Sequence, residues 1–274
     1  MLKRAFKPFC FTRQFASVAG SAILTLGLCG CQTTAPSDIT GALGDSADKS
    51  QVAVPRRDLD LYRERFRANP DDADAALQYG KALRTTGQRS QAVAVLEQAS
   101  IAHPGNKALL AGYGRALADN GNFQQAFDVL SQAHSPDDPD WRILSAQGAA
   151  LDQLGRYDEA RQYYASALRI APDEPTVLSN LGLSYVLSKD LPKAEEVLRR
   201  AYGHADSDPR VRANLAVVVG LQGRMTEAET LMKAGLPAEQ AQANLTELKR
   251  LLSRTARAQR GVEKLPVASR ATPD

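Results

Sequence analysis

The sequence predicts an all-α solenoid of two-helix repeats, closed by a helix at each end. The first observation is a period. Gly80, Gly114, Gly148 and Gly182 recur at a constant interval of 34 residues. The second is that other positions keep the same step. Ala92, Ala126, Ala160, Ala194 and Ala228 form one series, and Leu96, Leu130, Tyr164, Leu198 and Met232 another. Ala99, Ala133, Ala167 and Ala201 form a further series, with Gly235 as its last member. Self-similarity at a fixed period of this size marks stacked supersecondary units. The third is composition: 43% of the 274 residues are hydrophobic but only 6% are aromatic, which suits helices packed through alanine and leucine. Such a chain grows by adding units, each packed on its neighbours, rather than by enlarging one core.

A lone helix is predicted within 55–72, from about Arg56 to Ala68, with Leu59, Tyr62 and Phe66 on one face. Pro70 precedes Pro104 by 34 residues, so this helix is in register as the second half of an incomplete unit and caps the first full repeat. Five repeats follow, at 73–106, 107–140, 141–174, 175–208 and 209–236. In the first, Ala76, Tyr79, Gly80 and Leu83 face inward from one helix and Ala92, Leu96 and Ala99 from the other. Gly87 closes the first helix, since glycine takes the left-handed conformation without penalty. Gly80 and Ala92 are placed where the two helices approach most closely. In the fourth repeat Lys189 stands where the turn glycine is expected, which passes the strained position to Asp190. In the fifth, Arg212 occupies an apolar position and Ala216 replaces the glycine. A last helix is predicted over 237–253, with Ala241, Leu245, Leu248 and Leu252 as its apolar stripe. Residues 254–274 are basic, lack periodicity and hold two prolines, and are expected to be disordered.

The net charge of +3 is concentrated at the ends. Residues 1–31 hold Lys3, Arg4, Lys7 and Arg13 and no acid, and the rest holds 30 basic and 31 acidic residues. From Lys249 onward there are seven basic and two acidic residues, so the body before them is mildly acidic. A nucleic-acid binder usually shows a concentrated basic face, and none is evident. The basic start is followed by an apolar stretch, Ala16 to Leu28, of signal-peptide rather than membrane-spanning length. All three cysteines, Cys10, Cys29 and Cys31, lie in this segment, which leaves no cysteine pair for a disulfide or a metal site in the body.

Two resemblances follow. Leu28-Cys29-Gly30-Cys31 resembles the bacterial lipobox, with Leu28 three residues and the small Gly30 one residue before Cys31. The resemblance implies that 1–31 is a lipoprotein signal, that Cys31 is the lipid-attachment site and mature N-terminus, and, with Gln32 following, that the protein sits at the periplasmic face of the outer membrane. Residues 32–54, rich in Ser, Thr, Gly, Ala and Asp, read as a flexible tether of about 25–30 Å mean span. The period and its small and apolar positions resemble the tetratricopeptide repeat, which implies a right-handed superhelical solenoid that binds partners along its concave face. Over the first helices that face would carry Lys81, Arg84 and Arg115 at the N-terminal end. Asn180, Leu183, Val186, Asn214 and Val217 would line the C-terminal end. The expected ligand is a segment with an apolar portion, for Leu183, Val186 and Val217, and an acidic end, for the three cations; Asn180 and Asn214 would bond its backbone. The family's carboxylate clamp is not matched, since its positions hold Leu77 with Lys81 and Ala111 with Arg115.

The stretch Val211-Arg212-Ala213-Asn214-Leu215-Ala216-Val217-Val218-Val219-Gly220-Leu221-Gln222-Gly223-Arg224, with Ala228-Glu229 and Leu236-Pro237-Ala238-Glu239-Gln240-Ala241 after it, is not required by generic repeats. With the lipobox and tether it resembles the TadD-like lipoproteins of the tight-adherence (Flp) pilus system. That resemblance implies a non-enzymatic assembly factor whose partners are an outer-membrane secretin and other pilus-assembly components, with no cofactor, small-molecule substrate or nucleic acid. A pilotin-like or outer-membrane-protein assembly lipoprotein of another system, and a scaffold for periplasmic cell-wall enzymes, share anchor and repeats. The residues themselves supply no catalytic constellation: H-E-x-x-H, G-x-S-x-G and P-loop patterns do not occur. His103, His134 and His204 fall next to inter-repeat turns, where they are expected to be solvated.

Overall fold

The computed structural model describes residues 56–204, 208–235 and 237–263. The expected signal segment 1–31 with Cys31, the expected tether 32–54 and residues 264–274 lie outside the described residues. The described residues form twelve helices and no strand. Helix α1 (Arg56–Ala68) is followed by five helix pairs. The first helices of the pairs are α2 (Ala73–Thr85), α4 (Lys107–Asp119), α6 (Trp141–Gln153), α8 (Pro175–Leu187) and α10 (Pro209–Leu221). The second helices are α3 (Arg89–Ala102), α5 (Phe123–Ala133), α7 (Tyr157–Ile170), α9 (Leu191–His204) and α11 (Met225–Gly235). Helix α12 (Ala238–Glu263) comes last. The two helices of each pair pack on one another, each second helix from α3 to α9 packs on the next pair, and successive first helices also touch. No described helix is long and apolar enough to cross a membrane.

Each period of the sequence builds one such pair by the same local devices. Every first helix starts at a side-chain cap: Asp72, Asn106, Asp140, Glu174 and Asp208 each accept a hydrogen bond from a backbone amide two residues on. These caps also recur every 34 residues, and each contributes about 1 kcal/mol. Every first helix ends by one turn. The amides of Gln88, Asn122, Arg156, Asp190 and Arg224 bond back to the carbonyls of Leu83, Leu117, Leu151, Tyr185 and Val219. That closure needs a left-handed residue just before the donor, supplied four times by glycine, as at Gly87 with φ 77°. In the fourth pair Lys189 itself takes it, at φ 64°, and not Asp190 as expected from the sequence. The register of the closing bond decides this, and Asp190 is left to cap α9 through the Lys193 amide.

The periodic glycines make room for one specific neighbour. A Cβ on Gly80 would lie 2.5 Å from Leu96 Cγ, on Gly114 2.6 Å from Leu130 Cγ, and on Gly182 2.5 Å from Leu198 Cγ. On Gly148 it would lie 2.8 Å from Tyr164 Cε1. The helices therefore pack glycine against the large second-helix residue 16 positions on, and also close to the Ala92 series: a Cβ on Gly114 would lie 3.3 Å from the Ala126 carbonyl oxygen and one on Gly148 3.1 Å from that of Ala160. In the fifth pair Ala216 faces the same position, which there is Met232, and both are buried in one cluster. An unbranched thioether bends round a methyl where leucine cannot. Arg212 is accommodated at its apolar position by donating from Nη1 to the Ala234 carbonyl at 2.6 Å, at the C-terminus of α11, with its guanidinium over the Tyr202 ring.

Both ends are covered. Leu59 of α1 is buried, Tyr62 and Phe66 pack on the same core, and the Phe66 ring stacks on Tyr79. Ala241, Leu245 and Leu248 of α12 are buried against the last pair, and a Cβ on Gly220 would meet Leu248 Cδ2 at 2.6 Å. The expectation of a short last helix and a disordered tail from residue 254 is corrected, since α12 continues to Glu263. The added segment, Arg254-Thr255-Ala256-Arg257-Ala258-Gln259-Arg260, is rich in strong helix formers and holds no proline, so propensity carries the helix on after the apolar stripe has ended.

Candidate functional site

The layer of first helices is where the sequence places a binding face, and the structure sorts its residues into three groups. Lys81 is exposed. Arg84 is not available to a ligand's acid: its Nε donates to Asp119 Oδ2 at 2.6 Å, and the two side chains are 6% and 17% exposed. The pair ties α2 to α4. Arg115 is half-buried and likewise engaged. The expected cluster of three open cations is thereby reduced, because two of the three arginine and lysine side chains are drawn into contacts of the fold.

The two asparagines are also used within the solenoid. Asn180 Nδ2 donates to Ser145 Oγ at 3.1 Å, and Asn214 Nδ2 donates to Ser179 Oγ at 2.9 Å. Both bonds span 35 residues, so they are equivalent rungs joining α6 to α8 and α8 to α10. The expectation that these amides wait for a peptide backbone is corrected for the donated N–H of each. The signal was present in the sequence as serine one position before the asparagine's equivalent in the preceding repeat. It was missed because a serine on an inward face reads as a small filler. The corresponding contact between α2 and α4 is apolar: a Cβ on Gly112 would sit 2.7 Å from Leu77 Cδ1.

The apolar group remains. Leu183, Val186 and Val217 are half-buried. Val186 and Val217 lean on the cluster that holds Ala241, Leu245 and Leu248 of α12, while Leu183 stands one helical turn away on α8. Leu187, four residues after Leu183 and so on the same side of α8, is exposed.

Between α6, α7 and α8 lies a group that sequence reasoning passed over. Asp152 is 6% exposed. Its Oδ2 accepts from Tyr164 Oη at 2.8 Å and its Oδ1 from Ser184 Oγ at 2.7 Å. Burial pushes its carboxyl up to about 6, against the opposing pull of the two hydroxyls and of Arg161. Burial and the neighbouring carboxylate raise the Tyr164 hydroxyl as well. Tyrosine is the odd member of its leucine series, and Asp152 is what its hydroxyl reaches.

Several second-helix acids are ion-paired: Asp158 with Arg161 and Glu159 with Arg156. Glu195 bonds Arg224 and Arg199, and Arg199 and Arg224 both reach Glu227. The Arg224 hydrogen bond, above all, holds the Glu195 carboxyl down at about 2. This contribution is present above the ordinary carboxylate range and is lost as pH falls towards 2. Solvent screening keeps it small, because the partner arginines Arg199 and Arg224 are 46% and 41% exposed. His204 is exposed beside Asp173, but His103 and His134 are half-buried, each with one buried ring nitrogen lacking a hydrogen-bond partner. The expectation of solvated histidines is corrected for these two, which cap the C-termini of α3 and α5. Among the described residues no group of three His, Cys, Asp or Glu side chains is placed to hold a metal ion.

Models of the tetratricopeptide repeat match residues 86–148 and 142–207. Residues 86–207 therefore match tetratricopeptide repeats, in keeping with the solenoid fold. Solved structures with the same fold include a chain of the APC/C hetero-tetramer Cut9–Hcn1, at 18% identity and TM-score 0.61 over 74% of this chain. That match spans only 40% of the other chain's length. A tetratricopeptide protein of Thermus thermophilus, TTC0263, is similar at 21% identity and TM-score 0.59, over 65% of this chain and 98% of that one. Pseudomonas aeruginosa pilF is similar at 22% identity and TM-score 0.52, over 70% and 89%. No curated protein matches the sequence. Tetratricopeptide repeats generally serve as scaffolds for protein–protein contact, so the coarse role of the solenoid is to bind protein.

Proposed function

We propose that this tetratricopeptide-repeat protein is a non-enzymatic lipoprotein of the outer membrane, held by lipid at Cys31, that binds a protein segment along its first-helix layer. In this reading it assists assembly or localisation of an outer-membrane secretin for the tight-adherence pilus. The observation that carries the binding reading is the apolar strip on α8 and α10. Leu183, Val186 and Val217 stay half-buried while their polar neighbours are consumed by the solenoid. A binding energy built on apolar anchors falls on such residues. The anchor rests on Leu28, Gly30 and Cys31, and the pilus system on the stretch from Val211 to Ala241.

Crosslinking in outer membranes followed by affinity capture and mass spectrometry tests the partner. A secretin recovered with pilus-assembly components supports the reading. Barrel-assembly or cell-wall proteins without a secretin would move the function to another envelope system. Leu183→Asp is expected to lower capture of the partner by at least about tenfold, because it places a charge on an apolar contact. Unchanged capture with an unchanged circular-dichroism spectrum would remove the strip from the site. Cys31→Ser is expected to shift the protein from the membrane pellet to the soluble periplasmic fraction. Each acyl CH₂ that enters the bilayer contributes about 0.8 kcal/mol, so losing the chains removes the anchor. A mutant that still sediments with the outer membrane would show that something else holds it.

A further inference from the structure

Asp152 is the one acidic residue among the buried polar residues of the described part of the chain. It also sits at a boundary. It belongs to α6, and its two hydrogen-bond donors belong to α7 and α8, so one carboxyl group joins the third helix pair internally and ties it to the fourth. Only one acceptor arrangement suits an ionised carboxylate here, with both hydroxyls donating. A protonated carboxyl keeps the Tyr164 bond and donates its own proton to Ser184 Oγ, with no charge in the interior. The balance between these states is a balance between hydrogen bonds that favour the charge and burial that opposes it.

The groups around it do not neutralise the charge. From α7 it is faced by Tyr164 and Arg161, and from α8 by Ser184. Arg161 is the cation whose field reaches it, but that guanidinium is engaged by Asp158 and the Ser188 hydroxyl and lies over the Tyr185 ring. Helices α4 and α5, which also pack on α6, bring Asp119 and Asp128 to Arg84 and Gln124 instead.

We propose that the junction of the third and fourth repeats is a proton-controlled joint, tight when Asp152 is protonated and looser when it is ionised. The direction follows from linkage. A carboxyl held above its unfolded value contributes stability that is present at low pH and is lost as pH rises through its folded value, here about 6. Because contacts in a solenoid run only between neighbours, loosening one junction changes the relation of the two halves without unfolding either.

The test is hydrogen–deuterium exchange of the full chain, corrected for intrinsic rates, at about pH 5 and about pH 7.5. Protection of α6, α7 and α8 amides is expected to fall about tenfold across that interval, with the amides of α2 to α4 changing less. Asp152→Asn should abolish the difference and be as protected at the higher pH as the parent at the lower. Ser184→Ala keeps the acid but removes a bond that favours its charge, so the fall should move to higher pH. A parent and Asp152→Asn with parallel pH profiles would overturn the proposal. So would a Ser184→Ala variant whose transition stays where it was. If Asp152→Asn does not fold, the Ser184→Ala shift decides alone.

Discussion

Asp119→Ala is expected to destabilise the N-terminal pairs by about 3 kcal/mol, the cost of breaking a largely desolvated ion pair by removing one partner. Arg84 keeps its charge and loses its bond at 2.6 Å to a carboxylate that is itself 17% exposed. Asp119→Asn should cost less, since the amide oxygen still accepts from Nε. Arg84→Met combined with Asp119→Ala should recover most of the loss, because an apolar pair of similar reach carries no desolvation penalty. The measurement is a double-mutant cycle by urea unfolding, with exchange of α2 and α4 amides as the local readout. A cycle with no coupling energy would mean that this pair contributes nothing to the contact between α2 and α4.

Gly182→Ala is expected to cost about 1–2 kcal/mol, although alanine is the better helix former by about 1 kcal/mol. The new Cβ would sit 2.5 Å from Cγ of Leu198, which is fully buried and has nowhere to retreat. Leu198→Met on the same chain should restore most of the stability. The fifth repeat already contains that combination in Ala216 and Met232. The readout is protection of α8 and α9 amides together with the urea midpoint. A Gly182→Ala chain as stable as its parent would show that the helices can separate without loss, and failure of the methionine to help would break the proposed exchange of shape between the two positions.

These cases separate what periodicity reveals from what it hides. Gly80, Gly114, Gly148 and Gly182 are readable as points of close approach to the Ala92 series, and the carbonyls of Ala126 and Ala160 do lie there. Only the crossing geometry shows that Leu96 and its equivalents press on the same points. The strained turn is readable at Gly87 but not at Lys189, because there the register of the closing bond, and not the residue type, selects the left-handed position. Residues on the inward face were readable as a set. Their fates differ within the set: Lys81 is exposed, Arg84 is paired, and Asn180 and Asn214 are bonded to the preceding repeat.

The sequence by itself determined that this chain is an all-α stack of tetratricopeptide repeats, since caps, turns and small–large pairs recur within one period and act over a few residues of chain. It also holds Leu28-Cys29-Gly30-Cys31 and the stretch from Val211 to Ala241, the residues on which the proposed anchor and pilus readings rest. Only the tertiary structure decided which polar side chains are spent between repeats. Bonds such as Arg84 to Asp119 and Asn180 to Ser145 join residues 35 apart, and whether they form depends on the distance and tilt between neighbouring helices. It likewise decided that Asp152 is buried between three helices, where burial raises its carboxyl above the ordinary carboxylate range.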